Sequence, residues 1–195
     1  MAAISITKDI NAIRKLFNRI HSVGYIAPSG ENWNGTPPSS VSAITCMLPI
    51  LASSVTFDTG KPEITEVKLT TGEKWTTMMT AGEASISMQC SSYHEFVNSL
   101  FLTEKVSTET TLGASGSTLE GVAYSGKGYS TEAKKVTGSL VLRDESKESV
   151  IYLPNVEIFA SVGVEEDKPG YFDLQVTPLA DANGASIYFL HKVVG

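Results

Sequence analysis

The sequence holds few of the residues that carry chemistry. Three histidines (His21, His94, His191) and two cysteines (Cys46, Cys90) are spread through 195 residues. No His-x-x-x-His or Glu-x-x-His spacing joins the histidines, which leaves no helical zinc motif. Two cysteines make no disulfide scaffold, and their spacing carries no metal signature. They are free to pair, but the expectation in a reducing cytosol is two buried thiols. Charged residues are scarce at 18%, so Ser, Thr, Asn and Gly must dress much of the surface. Acidic residues exceed basic ones, 21 against 15, for a net charge of −6. That balance excludes the electropositive footprint of a nucleic-acid binder. No apolar run approaches the length of a membrane span, since the longest, Met47 to Ala52, is interrupted by Pro49. The stretch Met1 to Lys8 lacks an apolar h-region behind a basic n-region, so no export signal is expected there.

The remaining routes to catalysis are equally thin. Gly113-Ala-Ser-Gly-Ser117 lacks the closing glycine of a nucleophile elbow and has no strand-then-helix context. Gly126-Lys127-Gly128 lacks the third glycine and following helix of a dinucleotide fingerprint. Glu165, Glu166 and Asp167 form a compact acidic cluster without EF-hand spacing, beside a Pro-Gly turn. Trp33 and Trp75 do not group with the tyrosines as a sugar platform would, and the reading is core aromatics plus one loop tryptophan. The residues therefore predict no catalytic, metal-binding or cofactor-binding site, no cofactor, and no enzyme.

What is present is patterning. At 195 residues the chain suits one domain, or one domain with an arm. Between Ile4 and Tyr25, the residues Ile10, Ile13, Leu16, Phe17 and Ile20 recur at helical spacing, predicting an amphipathic helix that stops near Gly24. Ala27 to Ser40 is dense in turn formers and reads as a linker, placing a helix-and-linker arm at 1–41 and the main domain at 42–195. Beyond Ser42 the period shortens. Ile64 to Leu69 alternates and leads through Thr71-Gly72 towards Trp75, as a hairpin does. Ala84 to Cys90 alternates Ile86, Met88 and Cys90 with small polar residues. Ser91 or Ser92 caps a short helix carrying Tyr93, Phe96, Val97, Leu100 and Phe101, ending near Leu102. Thr108 to Gly128, rich in Gly, Ser and Thr, is either a mobile loop or an exposed hairpin whose contacts form in an assembly. Five strands follow: Thr137 to Leu142, Val150 to Leu153, Val156 to Val164, Phe172 to Val176 and Ala185 to Val193. Asn183-Gly184 is the strongest hairpin signal among them. The fold class is α+β, mainly β: a sandwich or barrel with a flanking short helix and an N-terminal amphipathic helix.

Three stretches carry a family resemblance: Thr59 to Leu69 with its hairpin, Glu83 to Cys90 running into the Ser91 to Leu102 helix, and Tyr171 to Gly184 with its Thr-Pro-Leu close. From about Ile44 to Val193 the chain resembles the tail tube (major tail) proteins of long-tailed bacteriophages. The resemblance implies a β-sandwich flanked by a helix, and hexameric rings that stack around a channel for DNA ejection. Its partners would be itself and other phage tail proteins, with DNA passing through unbound. It would reside in the virion after assembly in the bacterial host cytoplasm. An acidic lumen would let DNA slide, because Lys and Arg hold phosphates; strand alternation makes Glu63, Glu66 and Glu83 candidates. The competing expectations are a tail terminator or head-tail connector and a secreted adhesin or carbohydrate-binding module.

Overall fold

A computed structural model describes residues 19–28, 44–80, 82, 84–113, 122–167 and 169–192. The strands are β1 (Ile20–Ile26), β2 (Cys46–Leu48), β3 (Thr56–Asp58), β4 (Glu63–Lys68), β5 (Lys74–Thr80) and β6 (Ser85–Cys90). After the helix α1 (Glu95–Phe101) come β7 (Thr103–Leu112), β8 (Tyr124–Ser130), β9 (Lys135–Asp144), β10 (Ser149–Gly163), β11 (Tyr171–Leu179) and β12 (Tyr188–His191). The protein is thus mainly β with antiparallel pairing and one short helix among the described residues.

The main sheet runs β2-β1-β9-β10-β11-β6-β3, with β12 also on β10. It curls until its ends meet. Ile50 bridges Cys90, Ser91 N–H donates to the Pro49 carbonyl at 2.9 Å, and Leu51 N–H donates to that of Gln89 at 2.8 Å. The chain just past β2 therefore closes the sheet onto β6 as a barrel, which pairs edges that would otherwise be open. Its interior follows the two-residue period of strands. Ile86, Met88 and Cys90 of β6 face Val176, Leu174 and Phe172 of β11 across the ladder, and all six are buried. Burying a side chain of this size contributes about 1.5–3 kcal/mol.

Strand β10 is continuous where two strands, Val150 to Leu153 and Val156 to Val164, were expected. Leu153 pairs with Leu140 and Val156 with Gly138, so Pro154 and Asn155 together oppose Ser139. This bulge bends the strand without ending its ladder and tolerates a proline that has no N–H to give. Ser139 Oγ donates to the Pro154 carbonyl at 2.5 Å. On the edge of β10 away from β9, its first half takes β12 and its second half β11. Asn183-Gly184 does turn the chain, with Gly184 at φ 80. It makes no hairpin, because β11 and β12 lie end to end along β10 rather than side by side.

The N-terminal expectation needs correction where it can be seen. Residues 1–18 lie outside the described ones, as does most of the expected linker. Ile20 to Tyr25, expected as the end of the helix, is strand β1, seated between β2 and β9. Val23 pairs with Leu142 and Tyr25 with Leu140, so segment 20–26 is part of the barrel rather than of an arm. The valine, tyrosine and isoleucines suit a buried strand, and barrel pairing overrides the helical spacing that runs into Ile20.

Helix α1 packs Val97 and Phe101 inward. The Phe101 and Phe172 ring centroids are 5.5 Å apart. His94, rather than Ser91 or Ser92, caps it: His94 Nδ1 accepts from Phe96 N–H at 3.2 Å. At the other end Lys134 Nζ donates to the carbonyls of Ser99 at 2.5 Å and Leu102 at 3.1 Å, satisfying acceptors that the helix leaves open.

Candidate assembly surface

Two ribbons stand apart from the barrel ladder. Strands β4 and β5 pair only with each other, and so do β7 and β8. The first ribbon turns at Gly72, whose φ of 87° requires glycine. Its register sets Ile64 opposite Met79 on one face, and Thr65 opposite Met78 on the other. Neither face is covered: Ile64 is 63%, Trp75 68%, Met78 61% and Met79 71% exposed. An isolated two-stranded ribbon is marginal in water, and large exposed apolar groups in a contiguous patch mark an interaction site. Polar support comes from Lys74 Nζ, 2.9 Å from Glu66 Oε1.

The second ribbon, β7–β8, begins where α1 ends and exposes Val106, Leu112 and Tyr124. Thr108 to Gly128 is therefore the exposed-hairpin alternative wherever it is described, with 114–121 outside the described residues. Opposite Lys127 the ladder bulges: Val106 pairs with Gly128 and Thr110 with Gly126, leaving Ser107, Thr108 and Glu109 against a single residue.

The sequence's candidate residues scatter over this frame. His21 lies exposed on β1, instead of on a helix. His94 caps α1, and His191 Nδ1 on β12 is 3.2 Å from Ser149 Oγ. Among the described residues no three His, Cys, Asp or Glu side chains are grouped as metal donors would be. Glu165 accepts from the Tyr171 hydroxyl at 2.5 Å, a bond that pushes the Tyr171 hydroxyl above its ordinary range. Gly126 and Gly128 sit within β8, with no helix after them. Gly113, at φ 85, ends β7, and the remainder of Gly113 to Ser117 lies outside the described residues. Trp75, expected in the core, is on the exposed ribbon, while Trp33 is outside the described residues. Glu63 and Glu66, three positions apart on one strand, point to opposite faces of the ribbon; Glu83 is not among the described residues. Both thiols are free, and burial pushes that of Cys90 up to about 12. A cleft of about 460 Å³ opens between the start of β1 and the 48–55 segment, lined by Arg19, His21, Leu48, Val55 and Glu145 among others.

The exposed ribbon faces were not read from the sequence. Their signal is the consecutive Met78-Met79 pair, which puts apolar bulk on both sides of a strand otherwise made of Lys, Thr and one Trp. No family model matches the chain, and no curated protein sequence matches it.

Proposed function

We propose that this protein is a structural subunit that assembles with copies of itself, as stacked rings forming the tube of a phage tail through which DNA leaves. The observation that carries the assembly reading is the β4–β5 ribbon, apolar on both faces and covered on neither. A lone chain gains little from holding Ile64, Trp75, Met78 and Met79 in water, whereas a ring or stack removes them from it at about 25 cal/mol per Å² of apolar surface. Ring stacking is a head-to-tail contact that propagates into a tube. The family assignment rests on the Thr59 to Leu69, Glu83 to Leu102 and Tyr171 to Gly184 stretches, and the net charge of −6 suits a conduit that does not retain DNA. Other tail proteins would join at the tube ends, after assembly in the host cytoplasm.

Negative-stain electron microscopy with light scattering over a range of concentration and salt tests this. Hollow tubes are the expected result, and a Trp75→Lys, Met79→Lys variant should remain monomeric with stability within about 0.5 kcal/mol of wild type. Discrete rings that never lengthen would point instead to a terminator or connector. A strict monomer at every concentration, with the variant indistinguishable from it, would remove the support for assembly.

A further inference from the structure

The Gly126-Lys127-Gly128 segment contributes no exposed apolar group to the surface described above, yet its lysine makes the only ion pair between the β7–β8 ribbon and α1 among the described residues. Lys127 Nζ contacts a Glu95 carboxylate oxygen on α1 and lies 3.7 Å from Glu104 Oε2 at the base of β7. Its side chain is only 25% exposed, against 60% for Glu95. The bulge opposite Lys127 adds local twist to the ribbon, which can re-aim a side chain. Of the flanking glycines, Gly128 makes room for the close approach of the two strands, since a Cβ there would lie 3.0 Å from Val106, whereas Gly126 faces open space. The hydrogen bond to Glu95 raises the Lys127 ammonium, and the same bond lowers the Glu95 carboxyl. His94 and Tyr129 are the other titratable groups acting on the pair.

We propose that Lys127 is a latch: steadied by Glu104 within the ribbon and paired with Glu95 on α1, it fixes the direction of the β7–β8 ribbon against the helix before any partner arrives. A two-stranded ribbon that pairs with no other strand would otherwise pivot about its ends at Thr103 and Ser130. A ribbon already held in one direction loses less freedom on docking. That consequence rests on the assembly reading, whereas the latch belongs to the lone chain.

The test measures direction in dilute monomer, where assembly plays no part. Spin labels at L112C on the ribbon and Q175C on the barrel, in a Cys46→Ser background, report their separation by pulsed electron paramagnetic resonance; Cys90 is buried and stays unlabelled. Wild type should give a narrow distribution at low salt that broadens at about 1 M salt, where screening is strong and charges act over only about 3 Å. Lys127→Met should be broad at both, Lys127→Arg should restore the narrow distribution, and Glu95→Gln should broaden it much as Lys127→Met does, because Glu104 lies on the ribbon itself and cannot tie it to the helix. Circular dichroism confirms that each variant keeps its barrel. A Lys127→Met distribution as narrow as wild type, or a wild-type distribution already broad, overturns the latch. Tubes with an unchanged distribution would sink the latch alone, and a broadened distribution without tubes would sink the assembly reading alone.

Discussion

Single carboxylates set the geometry of the turns. Asp144 closes the β9–β10 turn, accepting from the Ser146 hydroxyl and, at 3.1 Å each, from Glu148 N–H and Ser149 N–H. These bonds, that from Ser146 first, hold its carboxyl below the ordinary 3.8. They also hold Lys147 at φ 62, a conformation costly for a residue with a Cβ. Asp181 does the same before β12, where the Tyr188 hydroxyl leads the donors that lower it, followed by Ala185 N–H and Asn183 N–H. A carboxyl whose folded pKa is depressed contributes stability that is complete above its unfolded value and disappears as pH falls through the folded one. Asp144→Asn should therefore be less stable than wild type at pH 7, with the difference shrinking as pH drops below 3.8. Urea melts at stepped pH check this; a difference constant with pH would show that the charge is not what matters. The charged loop Asp144 to Glu148 was legible as a turn from its composition. Which oxygen organises it was not, because that depends on where the two flanking strands deliver the amide groups.

At the scale of elements, alternation was a reliable guide wherever one face is buried. Ile86, Met88 and Cys90 on β6 follow it closely. It failed at β1, because Ile20 continues a three-and-four spacing that only pairing with β2 and β9 converts to strand. It also missed the exposure of β4–β5, since a hairpin reads alike whether it is covered or free. This contrast predicts an exchange pattern. Amide hydrogens of β9, β10 and β11, flanked by strands over a buried core, should be the slowest to exchange, and those of β4–β5 should exchange within the fastest class in the lone chain. Hydrogen-exchange mass spectrometry at low concentration checks the first state. Under assembling conditions, protection should appear in β4–β5; a ribbon equally exchangeable in both states would exclude it as the interface.

The whole molecule depends on one core inside a closed barrel. Phe172 is its junction: fully buried, paired to Cys90 across the ladder, and in ring contact with Phe101 of the helix and with Tyr93 at 5.9 Å. Phe172→Ala should cost about 3–5 kcal/mol, the range for deleting a buried aromatic ring. Because helix and barrel share that core, helical and aromatic circular dichroism should lose the native state in one coincident transition; separate transitions would mean that α1 folds independently of the barrel. The sequence by itself determined the local facts: a mainly β chain, the turns at Gly72 and Gly184, the short helix before Thr103, and a surface poor in charge. These follow from side-chain period and backbone preference, which act over a few residues. Only the tertiary structure decided that β1 joins the barrel, that Pro49 to Leu51 close it against β6, and that two ribbons remain uncovered. Such outcomes are set by pairing between residues far apart in the chain, where local preference is outweighed by the burial that closure makes possible.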